Sequence, residues 1–239
     1  MSGGINQTGA SGDKGTNGVA GIAGPKGANG NDANCSGWFF VSDDPPSRGG
    51  RGGDGSVGGT GSPGAVGNPG GVFELHTVIL GSDVSVDTSG GDGSEGGDGG
   101  NGGDGGQGGT GGAGEDCEAS AFGGDGGNAG NGGDAADGMK GGDAGAILIY
   151  FVSDQSGGQG TFTATYGKGG KAGKEGQPGN PGTTGGYGAN SDYSHSDYKP
   201  GDPPNPGLPG KPGNMTHPAQ GGNNGNSGKV EFHQVTTVG

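Results

Sequence analysis

Apolar residues are scarce in this chain. They make up 24% of its 239 residues, and aromatic residues only 5%. That is too little oily surface for an ordinary buried core at this length. The most apolar stretch, Ala146 to Val152, falls far short of the ~20 residues a membrane-spanning helix needs. Positive charge is scarce too: 11 Lys and Arg stand against 25 Asp and Glu, a net charge of −14. An acidic chain is repelled by nucleic acid and by anionic membrane surfaces, so neither is an expected partner. The start, Met1-Ser-Gly-Gly-Ile-Asn-Gln, lacks the basic and apolar regions of a secretory signal. The expected setting is nevertheless extracellular or particle-associated, as in a virion. Two cysteines, Cys35 and Cys117, permit one disulfide; two unpaired thiols fit the sequence as well.

What the chain has instead is glycine. The 73 glycines and 14 prolines would ordinarily signal low complexity or disorder, unless a period is present. A period is present. From Gly90 to Gly114 every third residue is glycine, and the following frame is glycine too, with Ser94 the exception. The third frame carries Asp92, Glu95, Asp98, Asn101, Asp104, Gln107, Thr110 and Ala113. A three-residue repeat suits the extended polyproline II helix, at ~3.1 Å per residue. Two of its faces would then be bare backbone and the third a polar ridge. Bare backbone gains stability only where another backbone comes very close.

The fold expected is a bundle of polyproline or polyglycine II helices stacked in layers. It is mainly non-α, with short antiparallel β-strands between the helices. The whole of 1–239 is read as one repeat-like unit, because a single triplet helix cannot stand alone. Triplet runs are read at 9–33, 49–71, 90–145 (two runs) and 167–189. Strand and turn sequence is read at 36–48 and 72–88, with a β-hairpin at 146–166. A recognition-type loop at 190–217 and a last run with a strand at 218–239 complete the chain. The first run keeps one glycine frame, which suggests a peripheral position. Collagen is the competing periodic structure, but it wants imino acids where the central run has glycine.

Gly-Gly-X at 90–114 and 123–134, with Gly-X-Y elsewhere, resembles the polyglycine II sandwich proteins. These include snow flea antifreeze protein and the tip adhesins of long tail fibres in T-even-like phages. The resemblance implies a flat bundle of antiparallel or mixed polyproline II helices, bonded through peptide groups. In the adhesins, loops at the bundle end recognise a bacterial surface receptor. In the antifreeze proteins, a flat face of small residues binds ice. This chain departs from both in its long strand modules.

No constellation suggests an enzyme, a cofactor or a metal site. Successive ridge carboxylates would stand ~9 Å apart along the helix axis, whereas calcium takes its oxygens at ~2.3–2.6 Å. A second helix alongside would be needed to complete a site. The ridge is therefore read as a solvated face. Gly-x-Gly-x-x-Gly occurs repeatedly, but no helix follows it to make a phosphate site. His76 and His233 are read as ordinary strand residues. The best candidate site is the stretch Tyr187–His217, where Tyr187, Tyr193, His195, Tyr198 and His217 are interleaved with Ser, Asn and Asp. Rigid aromatics among small polar groups are the chemistry of a recognition surface.

The first expectation for function is thus a non-enzymatic receptor-binding or adhesive protein with a surface glycan or cell-surface receptor as partner. Ice binding is the second, with the ridge-free side of 123–145 as its face. A structural subunit of an extracellular fibre or coat is the third, pairing its own copies, or a fibre protein, through edge strands such as Lys229–Val238.

Overall fold

The computed structural model describes residues 4–35, 43–115, 118–189, 204–213 and 218–237. Among them there is no α-helix. Six glycine tracts, at 9–33, 49–71, 90–114, 121–145, 167–188 and, in two described pieces, 205–213 and 218–228, lie side by side and bond through their backbones; we number them 1 to 6. Tract 1 donates to tract 3 in constant register, from Gly9 N–H on Ser89 O to Ala33 N–H on Ala113 O. Tract 3 donates to tract 5 in the same sense, Gly93 to Lys168 and Gly111 to Gly186. Tracts 2, 4 and 6 follow the same rule, with Gly52 to Asp125 and Gly126 to Asn205. Odd tracts are therefore mutually parallel, and so are even ones. Between the two sets the pairing is antiparallel: Gly100 bonds Gly59 O, and Gly97 bonds Ser62 O.

Glycine placement follows from this bonding. Tract 3 bonds to tracts 1, 2, 4 and 5. A Cβ on Gly102 would overlap Gly130 O of tract 4, and one on Gly103 would overlap Ile22 O of tract 1. Both bare frames are required there. Tract 1 bonds only to tracts 2 and 3 among the described residues, and one glycine frame suffices.

At one end each tract passes into a strand. β1 (Ile5–Asn6), β5 (Ser85–Asp87) and β7 (Thr161–Thr163) precede the odd tracts, while β4 (Phe73–Leu80), β6 (Ala146–Asp154) and β8 (Lys229–Gln234) follow the even ones. They form two parallel three-stranded sheets, ordered β1-β5-β7 and β4-β6-β8. The expected antiparallel strands and the hairpin at 146–166 are corrected here. A strand keeps the direction of its tract, and tracts of one set are parallel. β6 therefore bonds β4 and β8, while β7 bonds β5. The turn between β6 and β7 crosses from one sheet to the other, with Gly157 and Gly158 at φ of 60° and 77°, a region that side chains disfavour.

Between the sheets sits the apolar core: Leu80, Val86, Ile147 and Ile149, with Phe73, Leu75, Phe151 and Phe162 packed against it. Each fully buried aliphatic contributes about 1.5–3 kcal/mol. Ordering a residue's backbone costs about 1–2 kcal/mol, so four such side chains cannot hold 239 residues together; the ladders between tracts must carry the rest. On the outer face of β4-β6-β8, His76 stacks on Tyr150 at 4.6 Å and Tyr150 on His233 at 4.9 Å. His76 meets Glu74 at 2.8 Å, and His233 meets Glu231 at 3.4 Å.

At the opposite end, β2 (Asn34–Cys35) pairs antiparallel with β3 (Asp43–Asp44). Residues 36–42 of the stretch read as strand and turn lie outside the described residues. The reading of 190–217 as one loop is also corrected. Its residues 205–213 belong to tract 6, where Leu208 and Lys211 carbonyls accept from Ala129 and Gly132. Gly207, Gly210 and Gly213 keep the triplet frame against tract 4.

Prolines mark the outer tracts. None occurs in tracts 3 and 4. In tract 6, Pro206, Pro209 and Pro212 follow Asn205, Leu208 and Lys211. That is the place from which Gly126 and Gly132 of tract 4 donate to the next even tract. Pro178 and Pro181 stand in the corresponding frame of tract 5. At these places no further tract among the described residues offers a carbonyl, and proline has no N–H to leave unmet.

Replacing Gly103 by alanine should destabilise the protein by at least the ~1–3 kcal/mol typical of overpacking. Gly186→Ala, whose Cβ would meet only Thr110 Cγ2 at 3.8 Å, should be neutral or stabilising by up to ~1 kcal/mol. Thermal melts of the two variants check this contrast.

Candidate functional site

The polar ridge is bonded rather than merely solvated. Each triplet has three N–H groups, and the two inner frames donate to neighbouring tracts. The third would point outward unpaired. Short acidic and amide side chains supply its acceptor. Asn17 Oδ1 accepts from Asp98 N–H at 2.9 Å, and Asp32 from Ala113 N–H at 2.7 Å. Asp92, Asp98, Asn101 and Asp104 accept from Lys168, Lys174, Gln177 and Asn180 at 2.7–3.0 Å. The even tracts repeat it: Asp54 takes Asn128 N–H, Asp125 takes Asn205 N–H, and Asp143 takes Asn226 N–H, at 2.7–2.8 Å. The longer Glu95 pairs instead with Lys14 at 3.4 Å. This role was missed in the sequence, although the preference for Asp and Asn over Glu and Gln on the ridge signalled it: only the short side chains fit this bridge.

These bonds depress carboxyl pKa values. Lys140's ammonium, then the Asn226 N–H and side-chain amide, hold Asp143 down to about 2. The Asn128 N–H, aided by Arg51, lowers Asp54. The Ser156 hydroxyl and N–H lower Asp154. Among the described residues, no group of three or more His, Cys, Asp or Glu could hold a metal ion.

The expected ice face is corrected. Both small-residue frames of 123–145 are occupied: Gly127 and Gly130 bond tract 3, while Gly126, Ala129 and Gly132 bond tract 6. The remaining row is polar, Asp125, Asn128, Asn131, Asp134 and Asp137. A short uncharged patch lies instead on tracts 1 and 2, formed by Thr16, Val19, Ile22 and Pro25 with Val57, Thr60, Pro63 and Val66, and bounded by Asp13, Arg51 and Asp54. The carbonyls of Thr16, Val19, Ile22 and Pro25 accept from Ser62, Gly59, Ser56 and Gly53. Ser62 and Ser56 hydroxyls accept in return from the Thr16 and Ile22 N–H groups; at Pro25, which has no N–H, the partner is glycine. Val19 and Ile22 are 77% and 78% exposed, and Val57 and Val66 on the adjoining row are exposed as well.

The stems that lead from odd tracts to even ones lie together at the end away from the sheets. Cys35 N–H bonds Glu115 Oε2 at 2.9 Å, Ala33 N–H bonds Ala113 O, and Gly114 N–H reaches Ala189 O. Glu115 and Glu118 form a bridge. These bonds join the ends of tracts 1, 3 and 5. Tyr187, exposed there, packs edge-on against Phe122 at 5.2 Å. Tyr193, His195, Tyr198 and His217 lie outside the described residues. Cys35 is disulfide-bonded; Cys117, the chain's other cysteine, lies outside them too.

No family model and no curated relative matches the chain. A solved structure of a springtail antifreeze protein from Granisotoma rainieri, a bundle of nine polyproline type II helices, is 27% identical over 75% of this chain and 94% of that one. Its TM-score is 0.11, so the likeness carries no argument about this chain's arrangement. No helix among the described residues is long and apolar enough to cross a membrane.

Acid should loosen the ridge. Asp143's folded pKa is lowered, so its bridge to Asn226 stabilises the fold fully above the unfolded value of ~3.9. That contribution is lost as pH falls through about 2. Melting temperature should drop over that window, and Asp143→Asn, which keeps an acceptor oxygen, should drop less.

Proposed function

We propose that this is a non-enzymatic recognition protein: a rigid stack of polyproline II helices, three odd in one layer and three even in the other, displaying one end to a surface glycan or cell-surface receptor. The observation that carries the reading is the convergence of the Cys35, Glu115 and Ala189 stems at a single end of the tracts. Residues 36–42, 116–117 and 190–203 all depart from those stems. They include Trp38, Phe39, Tyr193, His195 and Tyr198, most of the aromatic chemistry outside the strands. A backbone-bonded platform fixes the stems from which these residues depart. An extracellular or particle-borne setting belongs to the same proposal. The test is binding to whole cells or arrayed surface glycans. Tyr193→Ala with His195→Ala and Tyr198→Ala should abolish it while leaving the melting temperature unchanged; undiminished binding would remove the reading.

A second reading, ice binding, is favoured by the short uncharged patch on tracts 1 and 2. Thr16, Val19, Ile22, Val57, Thr60 and Val66 recur there at the fixed triplet spacing. It predicts inhibition of ice recrystallisation at micromolar protein, lost in Val19→Lys with Val57→Lys. Recrystallisation at the buffer rate would eliminate it.

A further inference from the structure

At the sheet end, burial declines toward both margins, with Ile5 of β1 40% exposed at one of them. Ile5, Val86 and Phe162 share a row across β1, β5 and β7. In the facing sheet, Phe73, Ile147 and Val230 form one row, and Leu75, Ile149 and Phe232 the next. Val86, Ile147 and Ile149 are sealed, whereas Val230 is 38% and Phe232 49% exposed. Phe162 meets Phe232 edge-on at 5.2 Å. Beside them opens a groove of about 220 Å³, lined by Leu80, Ser156, Gly160, Phe162 and Phe232.

The fold fills two places of this kind with its own strands. β5 bonds β1 and buries Val86 against the facing sheet; β7 bonds β5 and sets Phe162 there. Each is three residues long, polar–apolar–polar: Ser85-Val86-Asp87 and Thr161-Phe162-Thr163. The next place, beside β7 and over Val230 and Phe232, is filled by no strand among the described residues. β7's edge can still pair. Thr161 N–H goes to Val84 O, and Thr163 O takes Thr88 N–H. Alternation then turns the peptide groups of Phe162 away from β5. Along part of the adjoining tract edge Pro178, Pro181, Pro206, Pro209 and Pro212 remove the donors. A second bundle continuing the tract ladders would forgo those bonds, whereas a lone strand continues the sheet without them.

We infer that this groove binds an extended terminal segment of a partner protein, added to β7 as a parallel strand. Its sequence is polar–apolar–polar, and its apolar side chain sits over Val230 and Phe232. The site lies at the opposite end from the converging stems, so a partner held here leaves that end free. The inference is independent of what the stems display.

A synthetic peptide copying Gln159–Tyr166, the strand the neighbouring place already accepts, is the probe. Titrated into isotope-labelled full-length protein, it should give saturable amide shifts centred on Phe162, Val230 and Phe232. The same peptide carrying Phe162→Asp should not bind. Phe232→Asp in the protein should weaken binding at least about tenfold, with the glycine-tract amides unmoved; Val230→Asp gives a second variant should the first unfold. Absence of shifts at millimolar peptide, or equal binding by the Phe162→Asp peptide, would overturn the inference.

Discussion

A peptide N–H of one glycine tract reaching a carbonyl of the next, across a gap too narrow for a methyl group, is the interaction on which this structure rests. Every third residue of tract 3 repeats it toward tract 5, and the adjacent residue repeats it toward tract 2. Glycine is required by the neighbour's backbone: a Cβ at Gly100 would sit on Val19 O, and at Gly99 on Gly133 O. Hydrogen bonds are individually worth about 0.5–1.5 kcal/mol net. A fold built from them must therefore repeat them in register and leave few donors unmet.

That need explains features that look unrelated in the sequence. Ridge aspartates and asparagines accept the third donor of each triplet, so the acidity that favours solubility also ties parallel tracts together. Serines accept at the margin where tract 2 faces tract 1, at Ser47, Ser56 and Ser62. Prolines stand at the far margin, where an N–H would have nothing to meet. The small apolar core is confined to the end where tracts become strands, and it fixes the register of both sheets. Surface ion pairs such as Arg48–Asp125 at 2.9 Å are exposed and add little.

The strict frames at 9–30 and 90–114 were enough to read triplet tracts bonded side by side, because only glycine can be deleted to nothing and each deletion has a neighbour as its reason. Strand locations at Phe73–Leu80 and Ala146–Asp154 were legible from their apolar residues. Their pairing was not. Alternation in Thr161–Tyr166 is the same whether its partner is β6 or β5, and the choice follows from tract direction, which only the assembled ladders reveal. The ridge misled for a different reason: a row of aspartates looks the same whether water or a neighbouring peptide group is its partner. Of the candidate recognition residues, Tyr187 falls at the end where the stems meet, which sequence proximity to Gly188 could not have told.

The most direct measurement is amide hydrogen exchange, residue by residue, along 90–114. The account predicts strong protection for Gly90, Gly93, Gly99 and Gly102 and for Gly91, Gly97, Gly100 and Gly103, since both frames donate to neighbouring tracts. Exchange in these residues at the rate of a free glycine peptide would contradict it.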